Sequence, residues 1–150
     1  MKINRVLLGF NLFFTVLILA CILYFSLSGI DNSVNDSRKL TDIIVKIIYK
    51  SDYTQEEYEK LHQVVRKSAH VVLYGLFGAV LGLWVKLGSV RFSRKKLFIC
   101  CVAICVAFGF ADEWVKQYVP GRHFHAGEAV LNVVSAATGL CIIKGSGKKR

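Results

Sequence analysis

GFADEWVKQYVPGRHFHAGEAVLNVVSAATG, residues 109–139, is an apolar run that breaks into a knot of ionisable groups and then resumes. The adjacent acids Asp112 and Glu113, then Gln117, the turn Pro120-Gly121-Arg122, and finally Glu128 and Asn132 interrupt what would otherwise be two membrane spans. Charged groups at the end of a lipid-buried helix are costly and persist mainly where they pair or line a functional cavity. The stretch therefore sets both a piece of the fold, two apolar helices joined by a polar turn, and the default site. The competing reading is purely structural: Asp112, Glu113 and Arg122 form an ion-pair clasp between the helices, since structural charge networks perturb their members much as active sites do.

The rest of the chain has the same character. With 150 residues, 54% of them apolar, a single proline and a mean hydropathy of +0.47, it is too hydrophobic for a soluble domain of this size and reads as one membrane domain. A net charge of +10 raises the question of nucleic acid, and the placement of that charge answers it. Lys2 and Arg5 precede the first apolar run, Lys86, Arg91, Arg94, Lys95 and Lys96 lie between the second and third, and Lys144, Lys148, Lys149 and Arg150 follow the last. These 11 basic residues have no acid among them, whereas all 10 acids lie in the alternate connections or at their edges. That is a positive-inside bias, which makes the basic clusters cytoplasmic anchors near anionic lipid, puts both termini in the cytoplasm and gives nucleic acid no role.

In chain order, the first span is expected at about residues 6–30, charge-free and long enough to cross a hydrocarbon core of about 30 Å at about 1.5 Å per residue. A cleaved signal peptide would need a shorter apolar core and a small-residue cleavage site. Ile18-Leu19-Ala20-Cys21 resembles a lipoprotein signal, yet Ile22-Leu23-Tyr24-Phe25 follows where a polar mature chain should begin. An outer loop is expected at 31–67. Within it Leu40, Ile43, Ile44, Ile47 and Ile48 recur at helical spacing, with Arg38, Lys39, Asp42, Lys46 and Lys50 mainly opposite. Such an amphipathic helix lies along the membrane surface or covers the bundle. Thr54 and Glu57 fit a capping box at the start of a second helix, whose stripe Tyr58, Leu61, Val64 and Val65 runs on without Gly or Pro into the next span.

The remaining spans are expected at about 68–87, 97–114 and 126–143. Their charge-free cores, Val71–Val85, Leu97–Ala111 and Ala129–Ile143, are 15 residues each, about 22 Å of helix against the roughly 30 Å to be crossed. Each must borrow residues from its ends. At the basic ends Lys and Arg snorkel to the headgroups. At the other ends the borrowed residues are Lys67 and His70, Asp112 and Glu113, and Glu128, so three spans place ionisable groups at one depth on the outer side. Gly75, Gly78, Gly82 and Ala79, with Ala136 and Gly139 on the last span, form the small-residue stripes that let membrane helices approach. Cys21, Cys100, Cys101, Cys105 and Cys141 all fall inside apolar runs with no C-x-x-C pair and read as buried free thiols.

Chemistry is less specific. His123 and His125 near the acids are weak candidates for a divalent metal, with no spacing that fixes a geometry. Arg122, with Lys67 and His70 one turn apart, suits phosphate. The Arg, His and Asp spacing of membrane lipid phosphatases, laid from Arg122, reaches Glu128 and Asn132 and supplies no histidine nucleophile.

Lys67-x-x-His70-x-x-x-Tyr74, then Asp112-Glu113-x-x-x-Gln117-x-x-Pro120-x-Arg122, then an acid and Asn132 with Gly139 beyond, resembles the VanZ-like family of small bacterial membrane proteins over about residues 60–143. Glu128 stands where the family usually has Asp, and Ser135 where it has Gly. The resemblance adds Tyr74 to the candidate site and implies a role in resistance to the glycopeptide teicoplanin, without implying a reaction. The resulting expectation is an all-α membrane protein of four spans, with an outer amphipathic helical segment between the first and second. A polar cluster of Lys67, His70, Tyr74, Asp112, Glu113, Gln117, Arg122, Glu128 and Asn132 opens outward, and no cofactor is called for. The cluster either binds a lipid headgroup, an envelope precursor or a lipoglycopeptide, or it belongs to an enzyme in which Asp112, Glu113 or His70 is the acid or base on a lipid-linked substrate whose phosphate Arg122 holds.

Overall fold

A backbone in lipid has no water to bond, so each apolar run must satisfy its own amides, and the helix is the form that does so within one segment. A computed structural model describes residues 5–27, 30–48, 54–87 and 93–146 and shows that outcome. The helices are α1 (Arg5–Leu27), α2 (Ile30–Ile48), α3 (Gln55–Leu87), α4 (Arg94–Lys116) and α5 (Ala126–Gly145), with no strand among the described residues. All but α2 are long and apolar enough to cross a membrane. The chain is a multi-pass membrane protein. Lys2, Lys50, Arg91, Lys148, Lys149 and Arg150 of the expected charge pattern lie outside the described residues, as do the side chains of Arg5 and Ile48.

The closest packing is α3 on α5, and glycine makes it possible. A Cβ on Gly78 would run into the Ala136 backbone, one on Gly139 into the Gly75 carbonyl, and one on Gly82 would stand 2.9 Å from Ile143 Cβ. The predicted small-residue stripes therefore do meet face to face. Helix α5 also packs on α4, and α1 packs on α3 and α4. The shared core holds Ile22, Tyr74, Phe77, Leu81, Cys105, Ala136 and Leu140. Towards the basic end Trp84 Nε1 donates to Thr15 Oγ1 at 3.0 Å, and Lys144 Nζ stands 3.3 Å over the Phe98 ring. Much of α1 presents apolar side chains outward, among them Phe10, Phe13 and Val16, as a lipid-facing helix should.

Helix α3 is 33 residues long, about 50 Å, and exceeds the hydrocarbon core by about 20 Å. Its start is the expected capping box: the Thr54 N–H donates to Glu57 Oε2 at 2.8 Å, and the Glu57 N–H donates to Thr54 Oγ1 at 3.3 Å. Helix α2 runs antiparallel along this first part of α3. Ser37 Oγ lies 2.7 Å from His62 Nε2, and the Tyr58 hydroxyl donates to Asp42 at 2.7 Å. The face of α2 turned inward is Ser37, Thr41 and Val45, while Leu40, Ile43 and Ile47 stay exposed. The amphipathic segment does pack against the bundle, through polar side chains that find partners on α3, and its apolar face is left turned outward.

Candidate functional site

Helical spacing on α4 aligns Cys101, Cys105, Gly109, Asp112, Glu113 and Lys116 on one buried stripe. The stripe is apolar and small through Gly109 and fully ionic for its last turn. Lys116 Nζ contacts Glu113 Oε1 and stands 3.1 Å from Asp112 Oδ2, and the three side chains are at most 5% exposed. The two acids thus share one ammonium from within their own helix. The expected partner was Arg122, and this is a correction. Lys116, at i+4 from Asp112 and i+3 from Glu113, joins the site, as helix spacing alone would place it.

Arg122 has another task. The chain leaves α4 through the tight bonds Tyr118 N–H to Val115 O and Val119 N–H to Lys116 O, both 3.0 Å. It then makes a turn closed by the Arg122 N–H on Val119 O at 3.1 Å, with Pro120 second and Gly121 third at φ 78°. That is a type II turn, whose third position needs glycine. It delivers the guanidinium to the end of α1, where Nη1 donates to Phe25 O at 3.1 Å and Ser26 O at 2.9 Å, carbonyls of that helix's last turn. Burial first, and then the nearby Arg66, hold its pKa below the usual arginine value, while Asp112, Glu113 and Glu128 act on it the other way from beyond ion-pair range. Ser26 Oγ donates to the Asp112 carbonyl at 3.4 Å, which seats the end of α1 beside the acids.

Helix α5 is registered against both neighbours. A Cβ on Gly109 would meet Val133, and would lie 3.5 Å from the Ala129 carbonyl. With Ala129 against α4 and Ala136 against α3, Asn132 between them is enclosed by both helices. It is 0% exposed, and neither end of its amide has a hydrogen-bond partner. Tyr74, one turn before Gly78 on α3, is equally buried, and its hydroxyl lies beside the Asp112 carboxylate, in no better than a poor hydrogen-bond geometry, and in the field of Glu113. Tyr74, Asp112, Glu113, Lys116 and Asn132 form one enclosed polar layer.

A half-exposed rim surrounds the layer. Arg66 Nη2 pairs with Glu128 Oε1 at 3.2 Å and ties α3 to α5. His70, one turn beyond Arg66, is half-buried and within electrostatic range of Lys116, Asp112, Glu128 and Arg66. Lys67 and Gln117 are exposed, the latter at the end of α4. His123 and His125 are exposed in the connection, and among the described residues no three His, Cys, Asp or Glu side chains gather as metal ligands do. Three helices do bring their ionisable groups to one end, and exposed Trp114, Tyr118 and Phe124 sit beside them, as aromatic residues do where membrane meets water.

The profile of the VanZ/LLP1 family matches residues 10–146. The chain belongs to the VanZ/LLP1 family. The match takes in most of α1 and all of α2, beyond the residues 60–143 over which the motifs lie. No curated protein and no solved structure matches the chain. The matched residues include both the buried layer and the rim, and the match assigns neither a ligand.

Proposed function

We propose that the acid-bearing end of the bundle faces the outside of a bacterial cell membrane. There it binds an amphiphile with an anionic head group, a membrane lipid or a lipid-linked envelope precursor, and so alters the envelope's response to glycopeptide and lipoglycopeptide antibiotics. One observation carries this reading. Exposed Lys67 heads a helical row that continues through Val71, Gly75 and Ala79 into an apolar groove of about 550 Å³ between α3 and α5, closed on its other side by Leu131, Ser135 and Gly139. A cation above an apolar trough suits a head group and an acyl chain together. Arg66 and the free N–H groups at the start of α5 add positive potential at the same end. The unopposed basic residues at the opposite end support the orientation.

The enzyme reading has less support, since both carboxylates are enclosed and Lys116 occupies them. The test is retention of anionic phospholipid by the purified protein, read by native mass spectrometry, alongside antibiotic susceptibility of cells. Lys67→Glu removes the cation, and Gly75→Leu fills the groove, where an added Cβ meets only the Ser135 carbonyl at 3.9 Å. Both variants should lose the retained lipid and the drug phenotype at normal abundance. Unchanged retention and susceptibility in both would sink the proposal, as would retention of the drug alone.

A further inference from the structure

We propose that the enclosed layer is a binding site for one monovalent metal cation, held by oxygens of Asp112, Glu113, Asn132 and Tyr74. Charge is the first ground. In direct contact are two carboxylates and one ammonium; Arg66 pairs with Glu128, and Arg122, bonded to the neutral carbonyls of α1, keeps its charge but acts on the acids only from beyond ion-pair range. One positive charge would balance the contact shell, and a net charge buried in low dielectric is expensive.

The second ground is independent of charge. Glu113 Oε2 and Asn132 Oδ1 are buried without a hydrogen-bond partner, and Asp112 Oδ1 and the Tyr74 hydroxyl, buried beside them, have at most each other, in poor geometry. Buried polar atoms are nearly always paired, and a set left open on three facing helices calls for an explanation. A proton shared by the acids would balance the charge but engage only one or two of these oxygens. A divalent ion would leave the shell positive. A hard monovalent cation answers both the charge and the oxygens. The site lies beneath the rim and does not rest on the amphiphile reading.

The probe is sodium ion. The protein in detergent is compared in sodium chloride and in N-methylglucamine chloride at equal ionic strength, by thermal unfolding and by binding of radioactive sodium. A saturable rise in Tm with sodium and one ion bound per chain are expected, both lost in Glu113→Gln and weakened in Asn132→Ala. Direct binding to the wild-type protein decides the matter even if the variants fold poorly. A Tm insensitive to the choice of cation, or one that moves with pH but not with sodium, would overturn the site, the latter result assigning the missing charge to a proton.

Discussion

Lys116 Nζ stands 3.1 Å from Asp112 Oδ2, one helical turn back along α4, with both side chains at most 5% exposed. A buried pair of this kind is weak evidence for stability, because desolvation offsets attraction, but breaking it from one side is severe. Lys116→Met should therefore cost about 3–5 kcal/mol and sharply reduce folded protein. Adding Asp112→Asn and Glu113→Gln to Lys116→Met should recover much of it, as read by thermal unfolding in detergent. A tolerated single Lys116→Met would show that the ammonium is not the acids' counter-charge.

Arg122 caps α1 rather than clasping the acids, and the two roles predict different partners. Arg122→Ala should cost about 1–3 kcal/mol through the bonds lost to the carbonyls of Phe25 and Ser26. Arg122→Lys should recover part of that, and Glu113→Gln none. Rescue by Glu113→Gln in the double variant would restore the clasp.

Glycines in the α3–α5 seam differ sharply from those on the lipid face. Gly78→Ala must push its methyl into the Ala136 backbone and should separate the helices, a strain of about 1–3 kcal/mol or more, whereas Gly9→Ala meets nothing within 4 Å and should be neutral. Equal unfolding temperatures for the two would mean that the seam is looser than drawn.

The proposed orientation is checked by cysteine labelling in intact cells, on a background from which the native cysteines are removed. Exposed positions Lys46 and Glu56 should react with an impermeant maleimide, and Lys95 should react only after lysis. Labelling of Lys95 from outside would invert the topology and remove the external location of the site.

The four spans, the α2 helix, the Thr54 cap and the α3–α5 seam were legible in the sequence because each rests on local periodicity or on residues three and four apart. The gathering of His70, Asp112, Glu113 and Glu128 at one end was legible for a related reason, since the lengths of the apolar runs fix depth. Partner choice was not. Depth and charge sign suit Arg122 and Lys116 equally as partners for the acids. The choice falls to Lys116 because it shares their helix face, while the turn at Pro120-Gly121 aims Arg122 at α1. The inward face of α2 was obscure for the same cause, as Ser37 and Thr41 declare themselves only once His62 stands opposite.

The unbroken course of α3 makes it a lever. It is pinned to α5 at Gly78, and its capped start at Thr54 lies about 36 Å of helix away, gripped by α2. A tilt of about 10° about that pivot sweeps the capped end through about 6 Å, yet moves Tyr74, one turn from the pivot, by about 1 Å. Force applied to α2 from outside the bilayer would thus reach the enclosed oxygens geared down, as a small and stiff displacement, and a change among those oxygens would appear at α2 magnified about sixfold.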